Sequence, residues 1–236
     1  MDLERIKERL ERSRSPVVLT GAGVSAESGV PTFRGPGGLW RNHRAEDLAT
    51  PGAFERDPYL VWEWYDWRRG LISGIEPNAA HRAIAELEKR RPGFTLITQN
   101  VDGLHARAGS RNMLEIHGSI WRVACTGCGS SAENRDVPIK ILPRCACGGV
   151  LRPEVVWFGE PLPEDVFDAA MEASSKADFM LVVGTSGVVQ PAASLALRAR
   201  DAGAYMAEIN TEPSALSDIM DSALTGRAAE TLPGLL

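Results

Sequence analysis

The 236-residue sequence has no apolar run long enough to cross a bilayer, and its first residues (Met1-Asp2-Leu3-Glu4-Arg5) are charged rather than signal-like. A cytoplasmic protein with no membrane partner is expected. Basic residues are outnumbered: 26 Lys and Arg against 31 Asp and Glu give a formal net charge of -5, which argues against a nucleic-acid surface. Repeats and low-complexity segments are absent. No long apolar heptad asks for an obligate partner helix, so a monomer is the expected state. Cysteine is confined to Cys125, Cys128, Cys145 and Cys147. Two clustered pairs in a reduced compartment point to a metal rather than to disulfides. What remains is the composition of an ordinary globular chain, long enough to bury a real core.

One stretch organises the rest. Pro16-Val17-Val18-Leu19-Thr20 reads as a short buried strand, and Gly21-Ala22-Gly23-Val24-Ser25-Ala26 follows it with the G-x-G-x-x-A spacing of a dinucleotide fingerprint. The first glycine permits a tight turn, the second lets backbone N–H groups approach a pyrophosphate, and the small sixth residue lets a helix pack close. A hydride-transfer enzyme would continue with a helix, a strand and an acidic ribose reader. Here Gly29, Pro31, Gly35, Pro36, Gly37 and Gly38 break both helix and strand, so phosphate binding survives and dehydrogenase architecture does not. A long loop with Phe33 and Arg34 at its centre is expected to cover the dinucleotide.

Along the chain, Leu3, Ile6 and Leu10 mark one face of a charged first helix ending near Ser13. Asp57-Pro58 starts a helix, with Leu60, Val61, Trp64 and Leu71 as its apolar stripe. A helix over 78–90, with Ala80, Ile84 and Leu87 inward, precedes a strand over 94–98 that ends at Gln99-Asn100-Val101-Asp102. Strands are expected over 113–117 and 120–124, and again over 155–158. The last third alternates: helix 164–174, strand 179–183, a helix from about Pro191 to Ala202 and strand 204–209. Alternating strands and helices predict an α/β fold, a doubly wound parallel sheet with ligands at the strand carboxyl ends, where Gly21, Gln99, Gly184 and Asn210 fall.

Cys125-x-x-Cys128 and, after sixteen intervening residues, Cys145-x-Cys147 suit two thiolate pairs closing one tetrahedral site. Thiolates favour zinc, and a four-cysteine shell leaves no open position for catalysis, so the metal is structural. Free buried thiols are the plainer alternative. The second pair is one residue tighter than the usual knuckle.

With the fingerprint, Gln99-Asn100-Val101-Asp102, Glu115-Ile116-His117-Gly118, the four cysteines, Val156-Trp157-Phe158-Gly159-Glu160 and Gly184-Thr185-Ser186 in this order, the chain resembles the sirtuins from about Val17 to its end. The resemblance implies one catalytic domain: a Rossmann-like large lobe (about 1–36, 76–120 and 152–236) and a small lobe (37–75 helical, 121–151 zinc-binding). It implies an NAD-dependent protein-lysine deacylase with acylated lysines of other proteins bound in the cleft. The acyl-lysine amide oxygen attacks the ribose carbon that bears nicotinamide, and His117 then acts as general base on a ribose hydroxyl, with Asn100 counted beside it as catalytic. The resemblance places NAD contacts on Gly21, Ala22, Gly23, Ser25, Ala26, Thr32, Phe33 and Arg34, then on Gln99 to Asp102 through Val101. Further contacts fall on Gly184, on Thr185 and Ser186 opening a helix, on Asn210 at the adenosine ribose, and on Ala228 at the adenine. Asp102 reads as the nicotinamide carboxamide partner, or simply as a helix cap. Val156, Phe158 and Gly159, with Val188 opposite, resemble strands that pair with substrate backbone. His43, His81 and His105 read as structural.

Tyr65 and Arg68 are three apart and share a helix face. A phenol beside a guanidinium fork suits a carboxylate at the end of an acyl chain. The pair resembles the Tyr-x-x-Arg of the sirtuin branch that removes succinyl and malonyl groups, and Ala49 resembles that branch's small residue, which leaves room for a longer chain. The bland alternative is a core tyrosine with Arg68, like Arg69, a solvated charge. Two other functions share the motifs: a mono-ADP-ribosyltransferase using the same NAD site, and a non-catalytic NAD- or zinc-dependent binding module.

Overall fold

The computed structural model describes residues 2–31, 39–40 and 43–236. Six parallel strands form the main sheet, in the order Ser222–Thr225, Tyr205–Asn210, Phe179–Val183, Pro16–Thr20, Thr95–Thr98, Met113–Glu115. Pro16–Thr20 and Phe179–Val183 are buried at every position. Both faces of a central parallel strand are covered by helices, which is why these segments read as unbroken apolar runs. Val18, Leu96 and Leu181 face one way, onto Ile6 and Leu10 of the helix Asp2–Arg12 and Ile84 and Leu87 of the helix Ala79–Arg90. Val17, Leu19, Ile97 and Val182 face the other, onto Ala170 and the Leu195, Ala196 and Ala199 stripe of Ser194–Asp201. Chain order turns in opposite directions from Pro16–Thr20, making a switch point beside Phe179–Val183.

A third apolar cluster lies apart from these two. It joins Trp62, Trp64 and Tyr65 of the helix Pro58–Ser73 to Trp121, Val123 and Val155 of a three-stranded antiparallel sheet (Gly118–Cys125, Ser131–Glu133, Leu151–Val155) and to Trp157. Asp57 caps the helix as expected, its carboxylate accepting from the Leu60 amide at 3.0 Å. Trp62 Nε1 donates to the Leu151 carbonyl at 2.8 Å and ties helix to sheet.

Several expectations change. Leu71 is 40% exposed, and the buried face of its helix instead carries Trp62, Arg68, Arg69 and Ile72. Arg69 is not solvated: it is 0% exposed, donates to the Asn134 carbonyl and lies over the Trp121 ring. The strand expected over 155–158 ends at Val155. Beyond it the Trp157 amide donates to Glu160 Oε2 (2.8 Å), the Glu160 amide returns to the Trp157 carbonyl (3.0 Å), and Gly159 takes φ +89°. That closes a turn. The helix expected from Pro191 begins at Ser194, so Thr185 and Ser186 open no helix. Gly184 and Gly187 flank them at φ +59° and +68°, which is loop backbone. Ser222–Thr225, and the short helices Ala45–Leu48 and Pro51–Arg56, had no strong pattern to announce them.

Candidate active site

The switch point is built from glycines in contact. Gly21 follows one central strand and Gly184 the other. A Cβ on Gly21 would lie 2.7 Å from Thr185 Cβ, and one on Gly23 2.8 Å from Gly184 Cα. The Gly23 amide donates to the Gly184 carbonyl at 2.8 Å, so this glycine serves the crossing of two loops where a direct approach to pyrophosphate was expected. Gly184→Ala combines a positive φ with a Cβ 2.6 Å from the Val24 amide nitrogen. It should cost about 2–4 kcal/mol, read as a lower urea midpoint at unchanged slope. An unmoved midpoint would show that the crossing relaxes freely.

Above the crossing opens a cavity of about 430 Å³. Gly21, Ala22, Gly23, Ser25, Gln99, Asn100, Val101, Asp102, Gly184, Thr185 and Ser186 line it at the sheet end. Ala49, Tyr65, Arg68, His117, Val156, Phe158 and Gly159 line the side toward the antiparallel sheet. Ala26, Asn210 and Ala228 line a second, adjoining depression, which shares Gly23 and Gly184 with the first. Val188, 49% exposed, is outside both linings. Thr32, Phe33 and Arg34, and the loop expected to cover the dinucleotide, lie outside the described residues. Trp157, Glu160, Glu46, Leu162 and Gln190 also line the cavity; only Trp157, inside the 156–159 stretch expected to pair with substrate backbone, was given a part by the sequence.

Hydrogen bonds fix these groups. Asn100 Nδ2 donates to the Gly21 carbonyl (3.0 Å) and Ser25 Oγ (3.2 Å), and its own amide donates to Thr98 Oγ1 (3.1 Å). Gln99 Nε2 reaches Thr185 Oγ1 at 3.0 Å, and Asn210 Nδ2 the Thr185 carbonyl at 2.8 Å. Asp102 Oδ1 accepts at 2.8 Å from the amide of Leu104, the first residue of the helix Leu104–Ala108, whose N-cap position is Gly103. Burial raises the Asp102 pKa against the pull of that amide, the Ser25 hydroxyl and Arg68.

His117 Nδ1 lies 3.1 Å from the Gln99 carbonyl. A carbonyl only accepts, so Nδ1 carries the proton and Nε2 keeps a lone pair. Burial lowers the imidazole pKa below its ordinary value, and the carbonyl only partly offsets this. The ring is therefore neutral near pH 7 and has a free basic nitrogen. His81 and His105 pack against each other with ring centroids 4.8 Å apart, held neutral by burial, His81 at about 4. Their Nε2 atoms meet Ser25 Oγ (3.3 Å) and Thr20 Oγ1 (3.1 Å), so they brace the floor of the site.

On the opposite wall, Tyr65 and Arg68 are 2% and 6% exposed, which removes the solvated-charge alternative. Tyr65 Oη accepts from Trp157 Nε1 at 2.9 Å, and burial pushes the phenol up to about 12. Burial lowers the Arg68 pKa, opposed by Tyr65 and Asp102.

The four cysteine sulfurs lie within 4.8 Å of one another, with Cys125–Cys147 at 3.5 Å and Cys128–Cys145 at 3.8 Å. Zinc–sulfur bonds of about 2.3 Å put tetrahedral sulfurs about 3.8 Å apart, so these thiolates fit the ion. The tight Cys145-x-Cys147 pair reaches the same centre. A Cβ on Gly149 would lie 2.7 Å from Cys125 Sγ, so the turn there needs glycine.

Fold and site together define a dinucleotide-binding α/β protein with a thiolate metal centre and a basic imidazole at its cavity. The Sir2 family profile matches residues 21–191. The NAD-dependent protein deacylase 2 of Pyrobaculum aerophilum is 57% identical over 98% of this chain and 93% of its own length. A solved Sir2 homologue–NAD complex superimposes with a TM-score of 0.93 at 51% identity, covering 98% of this chain and 91% of that one. A Sir2–p53 peptide–NAD+ complex gives 0.88 at 32%, covering 99% and 96%. The chain belongs to the Sir2 family.

Proposed function

We propose that this protein is an NAD-dependent protein-lysine deacylase that prefers acyl groups ending in a carboxylate, succinyl and malonyl, and retains some deacetylase activity. Family membership supports the deacylase reading, and one observation carries the preference: Arg68 and Tyr65 are buried in the wall of the cavity that also holds His117. Ala49, also buried there, adds little bulk to that wall. NAD bound over the glycine crossing supplies an electrophilic ribose carbon and a departing nicotinamide. Gln99, Asn100 and Asp102 hold the sugar and carboxamide end without adding positive charge, while Asn210 and Ala228 take the adenosine end. His117 Nε2 accepts a proton from the ribose hydroxyl, because its other nitrogen is committed to the Gln99 carbonyl. Val156, Phe158 and Gly159, with Val188 across the cleft, receive the backbone of the acylated protein. The main sheet and its helices act as the large lobe, and residues 37–75 with 121–151 as the small one.

Arg68→Met should lower kcat/KM for a succinyl-lysine peptide by roughly 2–4 kcal/mol relative to the matched acetyl peptide, as a buried carboxylate loses its partner. Equal losses on both peptides would refute the preference. Mass spectrometry separates the rival use of the site. Acyl-ADP-ribose in solution marks deacylation, whereas protein carrying ADP-ribose would mark a transferase.

A further inference from the structure

A phenol oxygen has one proton to donate and two lone pairs with which to accept. In Tyr65 the Trp157 indole N–H, 2.9 Å away and able only to donate, occupies one lone pair. The phenol proton then points elsewhere than at Trp157, and Tyr65 lines the cavity. Arg68, on the same helix face, carries a guanidinium, whose nitrogens only donate. The Tyr65–Arg68 end of the cavity therefore presents donors, and what donors select is an acceptor without protons, a carboxylate.

Trp157 is itself held on three sides. Its amide donates to Glu160 Oε2 at 2.8 Å, Arg152 Cζ sits 3.5 Å from its ring centroid, and Phe54 packs at 5.2 Å between centroids. Arg152 grips Glu160 with both terminal guanidinium nitrogens, at 2.6 and 2.8 Å, and donates to the Val155 carbonyl at 3.0 Å. Arginine, glutamate and indole form one clamp whose free end is the N–H aimed at Tyr65. The planar fork and the stacked ring leave the indole little freedom to turn.

We infer that Trp157, held by the Arg152–Glu160 pair, is a positioning residue for acyl specificity: its indole N–H turns the Tyr65 hydroxyl into a donor toward the acyl carboxylate. This rests on the acidic-acyl reading above. Without Trp157 the phenol is free to rotate and to present a lone pair to the carboxylate, which repels it. Selection would then fall to Arg68 alone.

The test uses full-length protein with succinyl- and acetyl-lysine peptides of one sequence. Trp157→Phe keeps an aromatic ring and deletes the N–H. The succinyl-to-acetyl ratio of kcat/KM should fall about tenfold, chiefly through a higher KM for the succinyl peptide, the size of one charge-assisted hydrogen bond. In a Tyr65→Phe background the same substitution should change the ratio no further, because the group it acts through is gone. A merely structural tryptophan would lower both peptides together and would add to the Tyr65→Phe loss; either result overturns the inference. Should Trp157→Phe not fold, Glu160→Gln loosens the clamp with the indole still present, and an unmoved ratio there overturns it equally. Arg68→Met is run alongside. If it collapses the ratio while the clamp variants do not, only the role of Trp157 fails; if it too leaves the ratio unmoved, the acidic-acyl reading fails.

Discussion

Replacing His117 by alanine should lower deacylation turnover by about 10²- to 10⁴-fold, the usual worth of a positioned general base. The geometry behind this is one-sided. Nδ1 is committed as a donor to the Gln99 carbonyl, so Nε2 alone is left to accept a proton. Burial lowers the imidazole pKa, which keeps the base unprotonated at neutral pH at no cost in catalytic protonation state. The sign of the pH dependence follows. A base with a depressed pKa is active above that pKa and loses activity as pH falls through it, so the acidic limb of kcat/KM should lie below the ordinary histidine value of about 6.5. His117→Ala should remove that limb along with the rate. His117→Gln should behave as alanine does, because an amide fills the space but accepts no proton. Turnover within fivefold of wild type in both variants would remove His117 from the role of general base.

What the sequence disclosed follows from how each feature is encoded. Phe179–Val183 and Pro16–Thr20 are central strands covered on both faces, so five consecutive apolar or β-branched residues suffice to name them. The cysteines declare themselves by spacing alone. The helix Pro58–Ser73 announced its start at Asp57-Pro58 but not its buried face, because burial there exceeds the apolar stripe: Arg68 and Arg69 look alike in sequence, and neither is on the surface. Arg69 is held by a backbone carbonyl 65 positions away, a partner no local pattern can announce. The Trp157–Tyr65 bond spans 92 positions and is equally tertiary. Ser222–Thr225 escaped because it is an edge strand with one buried residue, and Thr185 and Ser186 open no helix, with Gly184 and Gly187 at positive φ in the loop there. Local rules located the pocket's floor. The wall that carries Tyr65, Arg68 and Trp157 required the packed fold.

Stripping the metal should unfold the region over 121–151 and silence the enzyme while much of the parallel sheet persists. Structural zinc contributes about 10–16 kcal/mol in small thiolate sites, against about 5–15 kcal/mol for a whole domain. The lobe has little else. Cys128 and Cys147 are exposed, and within 121–151 the buried apolar side chains are Trp121, Val123, Cys125 and Ile139. The sulfurs also resist standing together without a cation. The Ser130 hydroxyl and amide draw Cys128 down to about 6, whereas Cys147, despite the Gly149 amide, is pushed up to about 11 by the three neighbouring sulfurs. A dication lets all four ionise. Its loss should travel along a traceable path: Leu151–Val155 pairs with Gly118–Cys125, anchors Trp62 through the Leu151 carbonyl, and leads directly into Trp157. Chelation, or Cys128→Ser, should therefore abolish amide protection over 121–151 and, with it, deacylation of succinyl and acetyl peptides alike, with protection over 179–183 retained. Amide exchange by mass spectrometry checks both stretches, and a peptide assay the activity. Undiminished protection over 121–151 after complete zinc removal would mean that this sheet stands on its own packing and that the four thiols hold nothing it needs.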